Sequence, residues 1–356
     1  MNFPKFPPLD FDLEKPAYRA LAVSLISTVA FFVYKSNRRA SRLKAIQATN
    51  ANAVSTYFAP SASKSNVTVP VAIFLGGTAG IGRGMAEAFA RYTNGNAHII
   101  ILGRNEANAK AIISTFPKPT VHGARHEFVQ CDATLMAECE RVLQDLRARL
   151  PRINYLVISP MLVKTFGEEK TTEGKEPKLV LMYYARFKFI KELTGALEKA
   201  KEQGEEAKVY IVGGAGLGKS IDWDDLGFRK KGYSFLKIRA QFPLYMTVIL
   251  QEFAARSPSL TFIDSYPGPV RSALGDNLRW MVARFLYKVL FSATFPFSYS
   301  ESGEYMLHAM LTTAKTPGVW NVGMYGSTLP ISKIYQASEK ERKILWEHSV
   351  EETSIQ

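Results

Sequence analysis

From Val71 onward the chain alternates short apolar runs with longer stretches of helical period. The runs Val71–Leu75, Ala97–Leu102, Glu127–Gln130, Ile153–Ile158, Lys208–Val212 and Leu260–Ile263 have strand character. Between them, Ile81–Tyr92, Glu106–Thr115, Leu135–Leu150, Leu179–Lys201 and Phe235–Ala255 repeat apolar residues at helical spacing. Continuous apolar strands separated by helices predict an α/β fold with a parallel sheet covered on both faces. The pattern fits one doubly wound domain over residues 71–330, followed by a C-terminal tail, 331–356.

The first seventy residues follow a different pattern. Ala20–Tyr34 holds fifteen residues without a charge, and Lys35, Arg38, Arg39, Arg42 and Lys44 follow. A membrane span needs about 20 apolar residues, so this run is short unless Ala17 and snorkelling by Arg19 and Lys35 extend it. The reading is an N-terminal segment, 1–47, with a hydrophobic helix over 17–34 that spans or docks on a membrane. Basic residues after the helix predict that the C-terminal body lies on the cytosolic side, as on the endoplasmic reticulum. Residues 48–70, rich in Ser, Ala, Asn and Thr, read as a linker.

Composition narrows the function. Hydrophobic residues make up 47% and charged residues 22%, which excludes a disordered or fibrous chain. The net charge of +13 suggests nucleic acid until it is mapped: +5 of it falls in residues 1–50, and the rest is spread without a basic stripe. No nucleic-acid partner is expected. Two cysteines and five scattered histidines supply neither a disulfide framework nor a structural zinc site.

Candidate chemistry begins where the first strand runs into Gly76-Gly77-Thr78-Ala79-Gly80-Ile81-Gly82 and a helix. Gly76, Gly80 and Gly82, with Thr78 and Ile81 in the same turn, suit a backbone that approaches a pyrophosphate at the helix N-terminus. The second strand ends in Arg104-Asn105, where an acidic residue would select NAD. Positive charge there favours the 2′-phosphate of NADP, so NADPH is expected over NADH. Asp132, ending the third strand, suits the adenine edge, a helix cap, or both.

The chain from about Val71 to Ser327, some 70% of its length, resembles the short-chain dehydrogenase/reductase family. The likeness rests on GGTAGIG, LGRN at 102–105, CDAT at 131–134, TTEG at 171–174 and Pro267-Gly268-Pro269-Val270. YYARFKFI at 183–190, IDWDDLGF at 221–228 and LWEHSVEET at 345–353 resemble the fungal group associated with secondary-metabolite pathways. The resemblance implies a Rossmann sheet of about seven strands, a nicotinamide cofactor, and hydride exchange between a carbonyl and an alcohol. It assigns the nicotinamide carboxamide to Val270 and Ser272, and it aligns Ser159 with the family's usual Asn after the fourth strand. Met182 stands where an Asn usually helps to hold a relay water.

The family's proton carrier is a Tyr with a Lys four residues on, and its Ser polarises the substrate oxygen. Tyr233, Lys237 and Ser220 meet that spacing, and Lys237 would also serve the nicotinamide ribose. A second register puts Arg239 and Pro243 at the Tyr and Lys positions and Gly213-Gly214 near the Ser; the relay is then absent, and Pro243 would disturb its helix. Two function classes follow: an NADP-dependent oxidoreductase, or a nucleotide-binding protein without catalysis. Leu278–Phe297, apolar with Arg279, Arg284 and Lys288 interspersed, suggests a lipophilic small-molecule substrate or bilayer contact.

Overall fold

The computed structural model describes residues 16–58, 69–161, 170–230, 234–271 and 296–354. Seven parallel strands form one sheet in the order β3-β2-β1-β4-β5-β6-β7. They are β1 (Val71–Leu75), β2 (His98–Gly103), β3 (Arg125–Gln130), β4 (Tyr155–Ile158), β5 (Lys208–Val212), β6 (Thr261–Ser265) and β7 (Gly318–Val322). Every residue of β1, β2, β4, β5 and β6 is buried, which is why these strands read as mainly apolar runs without polar alternation. At the edges, β3 and β7 are only partly covered. The order reverses between β1 and β4, where Leu75 pairs with Leu102 on one side and Ile158 on the other. In such sheets ligands bind beyond the C-terminal ends of the strands at that reversal.

Helices α2 (Gly80–Tyr92), α3 (Glu106–Ile113) and α4 (Met136–Arg149) connect the first four strands. After β4, a single turn α5 (Pro177–Leu179) passes through a π-turn, Val180–Tyr184, into α6 (Ala185–Glu202). Helix α7 (Phe235–Arg256) precedes β6, α8 (Tyr299–His308) precedes β7, and α9 (Glu339–Thr353) ends the fold. One core joins α4, α6 and α7 to the sheet through Leu146, Leu156, Phe187, Ile190, Val209 and Ile249. On the other face α2 and α8 cross closely: a Cβ on Gly303 would sit 2.4 Å from the Gly84 carbonyl carbon, so both positions require glycine.

Residues 331–356 are more than a tail. The capping box of Ser338 and Glu341 starts α9, whose Trp346 meets Phe187 and Phe253 edge-on at 5.2 and 5.0 Å. Tyr183 and Tyr184 hydrogen-bond Ser349 and His348 at 2.6 and 2.8 Å. Burial of the imidazole pushes the His348 pKa down. Near the end of α9, Glu352 accepts from both Lys175 and Arg229 and so ties the turn before α5 to the segment before α7.

The chain divides into two compact units, residues 1–46 and 47–356. Helix α1 (Pro16–Phe58) is 43 residues long and continues through the first half of the expected linker, a correction to the compositional reading. Its cause is tertiary: Asn50 is fully buried and donates to a Glu304 carboxylate oxygen and to the Glu304 carbonyl, each at 3.1 Å. Residues 59–68 of the linker lie outside the described residues. In the first unit Val23, Ile26, Phe31, Phe32, Val33 and Tyr34 are exposed. Among the described residues no helix is long and apolar enough to cross a membrane, so the expected hydrophobic helix forms without meeting the requirement for a span.

Candidate nucleotide-binding and active site

The glycine turn is shaped by three close approaches. Gly76 takes φ +83°, and a Cβ there would fall 2.8 Å from Ser159 Oγ. At Gly82 a Cβ would lie 2.1 Å from the same Oγ and 2.7 Å from the Gly76 carbonyl oxygen. The turn, the end of β4 and the first turn of α2 therefore converge on one point that only glycine leaves free. Gly80 differs: its φ is +58°, yet a Cβ there would meet nothing within 4 Å. Its open side faces a volume that a ligand can enter. Ser159 donates to the Leu75 and Gly76 carbonyls, each at 3.3 Å, and thereby fixes the turn from the end of β4.

Helix α2 has no side-chain cap at Ala79, and its first intrahelical bond runs from the Arg83 N–H to the Ala79 carbonyl. The amides of Gly80, Ile81 and Gly82 precede that bond, at the positive end of the helix dipole. Other helices are capped differently. Asn105 Oδ1 accepts from the Asn108 N–H at 2.8 Å and caps α3. The Glu173 carboxylate caps α4 by accepting from the Met136 and Ala137 amides at 2.7 and 2.8 Å. Free amides beside an open glycine fit a phosphate group, the part of a nicotinamide nucleotide common to NAD and NADP.

At the end of β2, Thr78 packs on Gly103, where a Cβ would come within 2.8 Å of Thr78 Cγ2. Arg104 follows directly and is exposed. Asn105 keeps its amide nitrogen for a ligand because its oxygen is used by the cap. Asp132 Oδ1 accepts from the Thr134 amide at 3.0 Å and hydroxyl at 2.7 Å, forming a local turn, and the cap expected of it on α4 is supplied by Glu173. Beyond β6, Val270 pairs with Phe297, with the Arg271 N–H donating to the Phe297 carbonyl at 2.7 Å.

The proton-relay residues are less well placed. Tyr233 and Ser272 lie outside the described residues, as does the stretch 272–295 that contains most of Leu278–Phe297. Ser220 is exposed, and Lys237 is exposed in the first turn of α7, where the Ser234 hydroxyl accepts from its backbone amide at 3.4 Å. Helix α7 continues through Pro243 without ending. There it meets β5: a Cβ on Gly214 would lie 3.0 Å from Pro243 Cγ. Met182 is half-buried within the π-turn, a distortion that recurs at functional sites.

Two charged residues at the C-terminal ends of the strands escaped the sequence reading. Arg186, on α6, is buried and donates to the Val212 and Pro160 carbonyls, each at 3.0 Å, bridging the ends of β5 and β4. Asp264, on β6, is fully buried. Among the described residues neither its carboxylate oxygens nor Arg186 Nε makes a hydrogen bond, and Asn321, its register partner on β7, leaves Oδ1 similarly unbonded. Burial pushes the Asp264 pKa up to about 7, against the opposing pull of Arg186 and the Ser265 amide. Burial likewise lowers that of Arg186 to about 10. The signal in sequence was an Asp inside an apolar strand, easily read as the strand's end.

Comparison with known proteins agrees with this fold. Residues 70–180 match the family described as short chain dehydrogenase. The chain is 29% identical over 297 residues to the oxidoreductase AN1596 of Emericella nidulans, covering 82% of this chain and 83% of that protein. It is 25% identical to the human polyprenol dehydrogenase over 80% of this chain and 85% of that one. Among solved structures, the Pseudomonas aeruginosa RhlG/NADP active-site complex superposes with a TM-score of 0.53 at 17% identity. That match covers 76% of this chain and 97% of RhlG and speaks to the fold.

Proposed function

We propose that this oxidoreductase is a short-chain dehydrogenase/reductase and uses NADPH to interconvert a carbonyl and an alcohol on a lipophilic small molecule. The observation that carries the reading is the uncapped start of α2 beside the open Gly80, with the exposed Arg104 directly after Gly103, which packs on Thr78 of the same turn. When bound, the nucleotide supplies or accepts a hydride at its nicotinamide ring. The α2 amides hold its pyrophosphate and Arg104 its 2′-phosphate, a charge-assisted contact worth roughly 1.5–3 kcal/mol. Val270 and Ser272 hold the carboxamide. Tyr233 moves the proton at the substrate oxygen, with Lys237 lowering the phenol's pKa from its usual value of about 10.

A second register is supported by one contact, Pro243 against Gly214, since that register sets Pro243 at the lysine position and Gly213-Gly214 near the serine. In that register Arg239 replaces the tyrosine and the proton comes from another group. The Tyr233→Phe variant separates the two, since turnover survives in it only under the second register.

The lipophilic substrate is supported by the name of the human relative and by the apolar stretch Leu278–Phe297. The exposed apolar side chains of α1, followed by Lys35, Arg38, Arg39, Arg42 and Lys44, suit docking on an anionic, cytosol-facing membrane. Such a reaction fits the tailoring of a secondary metabolite as well as the oxidation of an isoprenoid alcohol. The test is NADPH oxidation or NADP reduction with a panel of long-chain isoprenoid alcohols and aldehydes. Turnover of short polar substrates in preference to these would reject the substrate class.

A further inference from the structure

The Arg186 and Asp264 side chains meet around one position. A Cβ on Gly213 would lie 2.8 Å from Asp264 Oδ1 and 3.5 Å from Arg186 Nη1. Glycine at 213 therefore makes room for both groups, and Gly213 itself is half-buried at the end of β5. The two side chains nevertheless form no ion pair. A buried carboxylate that neither pairs nor accepts a hydrogen bond is costly as an anion, whereas its protonated form avoids most of that cost. Arg186, locked on two carbonyls, stays charged in either case.

We propose that Arg186 and Asp264, buried beneath the C-terminal ends of β4, β5 and β6, form a charge switch that discriminates reduced from oxidised nicotinamide. The pair carries a net charge of +1 when Asp264 is protonated and none when it is ionised. This proposal rests on the reading of that sheet edge as the nicotinamide end of the nucleotide site. The reduced ring is neutral and the oxidised ring cationic, so the protonated pair disfavours the oxidised form alone. By linkage, binding of the oxidised nucleotide favours ionisation of Asp264 and releases a proton, and binding of the reduced form does not.

The charges acting on Asp264 from its surroundings are few. Arg186 on α6 is the charged group that acts on it. On β5, the Tyr210 phenol feels the carboxylate in turn and is held well above its ordinary range by burial. From β7 comes the neutral Asn321, and α7 approaches the end of β5 with Pro243. Asp264 itself titrates near neutrality because burial dominates its environment. The switch therefore falls where a change of pH alters it.

The experiment is titration of the full chain with NADP and NADPH from pH 5.5 to 8.5. Calorimetry in two buffers of different ionisation heat counts the protons released. A unit charge switched beneath the bound ring, in a medium of effective dielectric near 20, alters binding of a cation on the order of tenfold. The expected result is a preference for NADPH that falls about tenfold as pH rises through 7, with proton release on binding NADP only. In Asp264→Asn, which holds the pair at +1, the preference should stay at its low-pH value and the proton release should vanish. A wild-type preference that does not change with pH, or one that changes equally in Asp264→Asn, overturns the switch while leaving the nucleotide site intact. Failure of either nucleotide to bind at any pH refutes the nucleotide reading itself and the switch with it. Should Asp264→Asn not fold, the wild-type proton count decides: equal release with both nucleotides refutes the proposal.

Discussion

Replacing Gly80 by Asp tests the nucleotide site with little disturbance of the fold. Gly80 takes a left-handed φ of +58°, which costs a non-glycine residue roughly 1–2 kcal/mol. Its Cβ would meet nothing within 4 Å, so there is no steric cost beyond the backbone. A carboxylate at the N-terminus of α2 recovers roughly 0.3–1 kcal/mol from the helix dipole. The net loss is about 1 kcal/mol, a fall in Tm of about 2–4 °C for a chain of this size. Ligand binding provides the larger signal. At a hundredfold excess over Kd, NADPH stabilises the wild type by about 2.7 kcal/mol, and a negative charge where the pyrophosphate belongs should remove that gain. Thermal unfolding followed by fluorescence, with and without NADPH, measures both effects. Gly82→Ala is the control: a Cβ 2.1 Å from Ser159 Oγ must displace the turn and lower Tm without ligand, an overpacking cost of typically 1–3 kcal/mol. A Gly80→Asp protein that keeps the full NADPH-induced rise in Tm would refute the placement of the nucleotide.

Other predictions address separate parts of the molecule. Arg104→Ala should weaken NADPH binding roughly ten- to a hundredfold and leave NADH unchanged, as read by fluorescence titration, and equal losses would remove the 2′-phosphate assignment. Tyr233→Phe should lower turnover roughly 10²–10⁴-fold with little change in NADPH affinity, if the Tyr233 register is the working one. Asp264→Asn should change the pH dependence of stability. A carboxyl whose folded pKa of about 7 exceeds its ordinary value of 3.8 binds its proton more tightly in the native state, so wild-type stability falls as pH rises between those values. The variant should lack that fall, worth a few kcal/mol, in urea unfolding at pH 5 and pH 8. Deleting residues 1–46 should abolish sedimentation with anionic lipid vesicles, and undiminished binding would move the lipid contact elsewhere.

Most of the sheet was visible in the sequence because its central strands are buried on both faces and are built mainly of apolar residues. Strands β1 and β5 fall on the expected residues, and the others move by a few at their ends. Gly318–Val322 gave no such signal, since its edge position tolerates Gly318 and Asn321 in a strand with three half-covered residues. The glycine turn was also legible, because Gly76 and Gly80 take a positive φ and Gly82 leaves no room for a Cβ. What sequence reading missed depends on contacts between distant residues. The last turns of α1 resemble a linker in composition, yet Asn50 pairs with Glu304, 254 positions away. Arg186 and Asp264 look like an ordinary helix cation and a strand-end acid until the sheet buries both beneath one edge. Glu173 gave no local sign of capping α4, a helix that begins 37 residues before it.

The placement of α9 has a consequence for how the protein is made. Synthesis proceeds from the N-terminus, and Tyr183, Phe187 and Phe253 leave the ribosome long before Trp346 and Ser349, which cover them. Until α9 emerges, the nascent chain exposes this aromatic surface, and the Lys175 and Arg229 segments lack the Glu352 that joins them. A ribosome stalled with Ser338 not yet emerged, or a stop codon there, would leave a body with its strands in place and a sticky face uncovered. Such an intermediate is a target for chaperones and prone to aggregation. Residues 338–354 thus decide whether the segments translated before them become a stable protein.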